Sequence, residues 1–475
     1  MLFPTVQFAI FFVVVFLGHW LLMQHPKPWR WFILAASYFF YGFWDWRFTG
    51  LLAASTLVNQ LAAVAIHSAR SPRSRRWFLL GGVAANLGIL GYFKYAGFLI
   101  ASVVATLDKV GFHTSLRPLE VILPVGISFF TFQAMSYVID IYRGKLEPAP
   151  WLDFAVYLSF FPQLVAGPIV RGTEFLPQLR GPRDPRRLDA SRGFYLIFIG
   201  LAKKIVIADF LASHIVDSVF RSPALSSGPE VLFAVYGFAV QIYADFSAYS
   251  DIAIGIALLL GFRFPENFNA PYTATSITDF WRRWHMTLSR WLRDYLYVPL
   301  GGNRGGRLLT YRNLLLTMFL GGLWHGAAWQ FVLWGGLHGA YLAVERAVVE
   351  RRRARGIAPL PDTFFLRLLK RLGTFHLVCL AWVFFRADSL STAWAILGRL
   401  FTGWDRATTL VTPAVLAAIA VGIAAQYVPG GVVNRGLIGF SRLRPALQGV
   451  VLAFTLMLID ALGPEGVAAF IYFQF

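Results

Sequence analysis

VQFAIFFVVVFLGHWLLM, Val6 to Met23, runs for eighteen residues without a charged side chain. As a helix it would rise about 27 Å, close to the roughly 30 Å hydrocarbon thickness of a bilayer. Comparable apolar runs recur at Leu51 to Ile66, Phe78 to Tyr95, Val121 to Ile141, Trp151 to Val170, Val411 to Val428 and Leu447 to Leu462. Of the 475 residues, 57% are hydrophobic and 14% charged, against roughly 25% charged in an average soluble domain. Lipid offers the backbone no hydrogen-bond partners, so the reading is an all-α polytopic membrane protein with about ten to twelve candidate spans. The uncertain spans lie between Phe194 and Val344, where polar residues and glycines interrupt the runs.

The first run has no basic residue ahead of it and no small-residue cleavage pattern after it, so it is expected to stay as a membrane helix rather than leave as a signal peptide. One cysteine, Cys379, excludes an intramolecular disulfide framework and any cysteine cluster for a metal. The net charge of +19 does not point to nucleic acid, because the basic residues sit in short loops between apolar runs. The positive-inside rule accounts for them. Arg70, Arg73, Arg75 and Arg76 form one cytoplasmic loop, Arg171 to Arg192 a second, and Arg346 to Arg371 a third. Counting outward from the third loop places the C-terminal residues outside, and the basic loop at Lys27 and Arg30 places the N-terminus outside as well.

No linker rich in Ser, Gly or Pro divides the chain, and no fixed repeat is visible, so residues 1–475 read as a single integral membrane domain. The most irregular part runs from Gln241 to Gly339. Irregular backbone at membrane depth needs protein or a water-filled cavity around it, which makes this the region to search for chemistry.

DFWRRWHMTLSRWLRDYLY, Asp279 to Tyr297, places Trp281, Trp284, Leu288, Trp291, Leu292 and Tyr295 on one helical face, with Arg282, Arg283, Arg290 and Arg293 largely off it. An amphipathic helix in the cytoplasmic interface would look the same. The functional alternative is that Arg282, Arg283 and Arg290 bind the phosphates of a nucleotide-linked acyl donor, since a guanidinium fork suits phosphate oxygens. His285 belongs to the same segment. GGLWHGAAWQFVLWGGLHG, Gly321 to Gly339, places His325 and His338 in a run otherwise free of ionisable groups. Such residues in a membrane are costly and mark function by default. His338 reads better as a neutral core imidazole donating to a carbonyl. His325, flanked by glycines that let backbone or a small substrate approach, reads better as a general base with a pKa suited to neutral pH. Asp245, Tyr249 and Asp251 are polar positions in an apolar segment that could line the cavity or pair with arginines, and structural pairing is the better reading.

Taken together, six stretches resemble the membrane-bound O-acyltransferases, in the branch of the alginate- and peptidoglycan-acetylating membrane subunits. They are LPVGISFFTFQAMSYVIDIYRG from Leu123, FPQLVAGPIVR from Phe161, YADFSAYSDIAIG from Tyr243, GFRFPENFNAPY from Gly261, WRRWHMTLSRWLRDYLYVPLGGNRGG from Trp281 and GGLWHG from Gly321. The resemblance implies spanning helices and re-entrant or interfacial helices around a central tunnel, in a bacterial inner membrane. It implies that His325 is the buried catalytic histidine and that His285 occupies the second functional polar position, which is an asparagine or aspartate in some relatives. The last six residues, Phe470 to Phe475, resemble the C-terminal hexapeptide of a small companion protein in teichoic acid D-alanylation. Carried over, Tyr472 accepts the acyl group on its phenol. A phenol is a better leaving group than an alkyl alcohol, so the ester would keep transfer potential. The other reading of Tyr472 is an aromatic interfacial anchor.

The expected function is transfer of an acyl group, most simply acetyl, from cytosolic acetyl-CoA or another thioester, with no permanent cofactor and no metal site. Through Tyr472 it would pass to an extracytoplasmic O-acetyltransferase partner of the SGNH type or similar, with a polysaccharide as final acceptor. The alternatives are direct acylation of a lipid or lipid-linked sugar, and a transporter exporting an acylated small molecule.

Overall fold

The computed structural model describes residues 1–181, 184, 188–358, 361–462 and 468–471. Every regular element among them is helical. Five helices are long and apolar enough to cross a membrane: Arg47–Ser68, Pro72–Lys109, Gly228–Leu259, Phe364–Arg386 and Pro445–Leu462. A sixth would be the bent pair Pro413–Tyr427 and Gly430–Ser441, which turns by 90°. The other apolar runs seen in the sequence form shorter helices, such as Val6–Leu22 and Ile127–Tyr142, or helices interrupted by π-helical turns, as at Lys203–Asp209 and Ala212–Val216. The chain is a multi-pass membrane protein.

The chain divides into two compact units. The first comprises Met1–Phe194 and Ala253–Pro265. Its helices begin where short polar side chains satisfy the free backbone amides: Thr5 accepts from Phe8 N at 3.2 Å, and Ser71 from Ser74 N at 3.1 Å. Arg47–Ser68, Pro72–Leu90 and Ile127–Tyr142 pack together, and Asn59 and Asn86 exchange side-chain hydrogen bonds at 3.2 and 2.7 Å between the first two. Aromatic rings fill the rest of the unit. Phe8, Phe11, Phe40 and Phe161 form one cluster, and Phe160, Phe175 and Phe262 a second.

The second unit comprises Tyr195–Ile252 and Glu266–Phe475. Its most closely packed helix pair is a hairpin, Arg307–His325 and Trp329–Ala354, joined by three residues. The two helices cross closely because the contact is glycine on both sides. A Cβ on Gly322 would sit 2.2 Å from the Phe331 carbonyl oxygen, and one on Gly335 2.3 Å from that of Met318. These glycines serve helix packing, as small residues do between membrane helices. Of the two uses the sequence reading gave the glycines before His325, Gly322 serves the close approach of backbone: Phe331 and Gly335 fill its open face and leave no room there for a substrate.

Candidate active site

The basic aromatic segment does not form the single helix read from its periodicity. Ile277–Arg283 starts at Ser276, whose hydroxyl accepts from Asp279 N at 3.1 Å, and ends at Trp284. His285 then adopts a left-handed conformation, φ 42° and ψ 53°, before Met286–Leu292 and a π-helical turn, Arg293–Tyr297. The apolar face survives the break: Trp284, Leu288, Trp291, Leu292 and Tyr295 are all buried.

A left-handed backbone costs a residue with a Cβ roughly 1–2 kcal/mol, and here one buried residue offsets that cost. Asn267 accepts on its backbone oxygen from Met286 N at 2.8 Å. Its side-chain Oδ1 accepts from Thr287 N at 3.2 Å and Thr287 Oγ1 at 2.9 Å, and its Nδ2 donates to Ser250 Oγ at 3.0 Å. The same Oδ1 lies 3.1 Å from His285 Nδ1. Because the Thr287 amide can only donate, the atom facing it must be oxygen, and His285 Nδ1 must carry the proton. In the neutral ring the lone pair therefore lies on Nε2. Sequence reasoning quoted Asn267 inside a motif and gave it no role; nothing local marks it, since its partners Ser250, His285, Met286 and Thr287 all lie 17 to 20 positions away.

His325 ends the helix Arg307–His325 and is 4% exposed. Its ring contacts Trp324, Trp334 and Phe385 edge-on, at centroid distances of 5.0, 5.0 and 5.3 Å. The His285 ring lies 6.5 Å away. Two histidines separated by 40 positions in the sequence are thus neighbours in an aromatic enclosure. Such an enclosure excludes water and strengthens any hydrogen bond or charge that develops within it.

His338 is fully buried beneath the same cluster, 4.9 Å from the Trp334 ring. Its Nδ1 accepts from Trp281 Nε1 at 3.3 Å, instead of donating to a carbonyl. Of the three arginines read as donor ligands, Arg282 is exposed. Arg283 pairs with Asp279 at 2.8 Å, and Arg290 Nε donates to the Met286 carbonyl at 3.4 Å. Asp251 and Asp245 are paired, though with lysines: Lys203 reaches Asp251 at 2.6 Å and Lys204 reaches Asp245 at 2.7 Å. Both lysines interrupt an apolar run, FYLIFIGLAKKIVIADF from Phe194, and that interruption is the signal that would have found them. Tyr472 lies outside the described residues. No group of three His, Cys, Asp or Glu placed to hold a metal occurs among the described residues.

Helices this apolar, with two histidines enclosed together at the end of a glycine-packed hairpin, suit acyl chemistry inside a membrane. Residues 98–385 match the model of the membrane-bound O-acyltransferase family, and the chain belongs to that family; it is an O-acyltransferase. It is 43% identical over 412 residues to the "Probable alginate O-acetylase" of Azotobacter vinelandii, the match covering 85% of this chain and 79% of that one. Against the peptidoglycan O-acetyltransferase of Helicobacter pylori it is 40% identical over 429 residues, covering 84% and 79%. The teichoic acid D-alanyltransferase of Streptococcus thermophilus is more distant, 28% identical over 281 residues and covering 55% of this chain and 68% of that one.

Proposed function

We propose that this enzyme takes an acetyl group from a cytosolic thioester, acetyl-CoA in the simplest case, and delivers it across a bacterial inner membrane to Tyr472. A separate extracytoplasmic O-acetyltransferase, of the SGNH type or similar, then places it on a polysaccharide. The observation that carries this reading is the enclosed pair His285 and His325; the relatives named for acetylating alginate and peptidoglycan support the acceptor class.

In the proposed step a histidine nitrogen takes the proton of the Tyr472 hydroxyl as its oxygen attacks the thioester carbonyl. The C–S bond breaks, the thiolate takes the proton and leaves as the thiol, and the acetyl group stays on the phenol as an ester. His325 is the base. His285, with its lone pair on Nε2, orients the pair or relays the proton. Arg282, Arg283 and Arg290 steer the donor's phosphates, Arg283 by exchanging its bond to Asp279. Residues 470–475 form an extracytoplasmic acceptor tail, and the N-terminus lies on the same side.

The test is peptide mass spectrometry of purified protein incubated with isotope-labelled acetyl-CoA, for the parent, His325→Ala and Tyr472→Phe. Label on the C-terminal peptide of the parent, absent from both variants, is the expected result. Unlabelled C-terminal peptide together with unimpaired polysaccharide acetylation by Tyr472→Phe would refute the relay and leave direct acylation of another acceptor.

A further inference from the structure

Lys204, Asp209 and Asp245 form a buried ion cluster, 1%, 8% and 3% exposed respectively. The π-helical turn Lys203–Asp209 positions it: of two successive lysines, Lys203 turns to Asp251 and Ser247, and Lys204 to Asp245. The Lys204 ammonium reaches Asp245 and Asp209 at 2.7 Å each. Its third donor reaches the backbone oxygen of Ala469 at 3.2 Å. The second oxygen of Asp245 accepts from the backbone amide of Ile471 at 2.8 Å. Between these two backbone contacts the Phe470 side chain, 1% exposed, enters a slot where the Lys204 ammonium lies 4.8 Å from the ring centre and the Tyr249 ring packs edge-on at 5.0 Å.

A structural ion pair would need none of this. Lysine has three protons to place, and this one spends its third on the last described stretch of the chain. A carboxylate that already holds the lysine uses its other oxygen on the same stretch. The cluster grips backbone on both sides of one aromatic plug, a carbonyl at 469 and an amide at 471, which fixes the register of whatever follows.

We propose that Lys204, Asp209, Asp245 and Tyr249 form a binding site for the C-terminal segment, whose task is to present the residue after Ile471 to the acyl-transfer chemistry. This deepens the relay reading and rests on it for the identity of that residue. The four are positioning residues; the chemistry belongs to the histidines. Precise placement of a reacting group is worth roughly 10–100-fold in rate for shifts on the order of 1 Å.

The experiment places a nitroxide at Ala468→Cys, an exposed position just before the held residues, in full-length protein carrying Cys379→Ala. Spin-label mobility is measured alongside acetyl loading of Tyr472. Expected are an immobile label in this parent, a mobile one in Phe470→Ala and Asp245→Ala, and loading slowed 10–100-fold in both without a change in the KM for acetyl-CoA. Phe470→Ala leaves the ion cluster intact, so it decides the matter even where Asp245→Ala does not fold. A mobile label in the parent, or an immobile one in Phe470→Ala, overturns the binding site. A freed tail that loads at the parent rate overturns its positioning role. An immobile label in a parent that never acetylates Tyr472 overturns the relay and leaves the binding site standing.

Discussion

Replacing Asn267 with alanine removes the contacts that hold the His285 turn. Four side-chain hydrogen bonds go: those from His285 Nδ1, Thr287 N and Thr287 Oγ1, and the one to Ser250. The site is buried, with Asn267 1% exposed and His285 inaccessible. Each buried polar group stranded this way costs about 1–3 kcal/mol. Entry of a water molecule into the vacated volume recovers part of that, so the net loss is on the order of 3–5 kcal/mol. Activity should fall further than stability suggests, because the asparagine oxygen also dictates which nitrogen of His285 holds the proton. Without it the ring samples both tautomers and rotates. Thiol release from acetyl-CoA by purified protein, with the fraction folded measured by size exclusion and thermal unfolding, separates the two effects. A roughly 10–100-fold lower kcat with KM little changed is expected from folded Asn267→Ala. A folded variant with the parent kcat would show that neither the turn nor the tautomer of His285 matters to catalysis.

Three further substitutions probe the rest of the second unit. Gly322→Ala drives a methyl against the Phe331 carbonyl, so it should lower stability by about 1–3 kcal/mol and shift His325 enough to reduce thiol release; an unchanged melting temperature would contradict the close crossing. Lys203→Met leaves Asp251 largely buried beside an apolar chain and should cost about 3–5 kcal/mol, with most of that recovered in Lys203→Met/Asp251→Leu; failure of the double variant to recover in thermal unfolding would assign the pair a role beyond mutual neutralisation. His338→Phe should keep most of the acetylation rate because His338 packs with Phe280, Trp281 and Trp334 beneath the histidine pair, whereas a loss equal to that of His325→Ala would place it in the chemistry.

Membrane residence and the all-helical class were legible from apolar runs, because the bilayer permits few other solutions. The pairing of His285 with His325 came from motif resemblance; no periodicity could have brought positions 40 apart together. Periodicity misled at Asp279 to Tyr297. The apolar face it detected is real, but a face of buried residues continues smoothly across a helix break, and only Asn267, distant in the chain, decides that the break falls at His285. Asp245 and Asp251 are paired as their place in an apolar segment suggests, but with Lys203 and Lys204 rather than arginines; two lysines inside an apolar run are a weaker mark than the arginine-rich loops. Counting spans by hydropathy likewise treats π-helical interruptions and bends as absent, although they break the Tyr195–Val216 stretch where one buried and one half-buried lysine sit.

The crossing of Gly322 and Gly335 also bears on how far this enzyme can drift. Position 322 lies three residues before His325, about 4.5 Å along the helix axis, so the enclosed His325 ring rides on a short arm whose fulcrum is clamped by two bare backbones. No side chain intervenes there to absorb a change, and a tolerant cushion of methyl groups is what most helix contacts rely on when sequences diverge. Selection on reaction geometry is therefore felt at residues that touch no substrate, and the two glycines should be as resistant to replacement as the histidine itself.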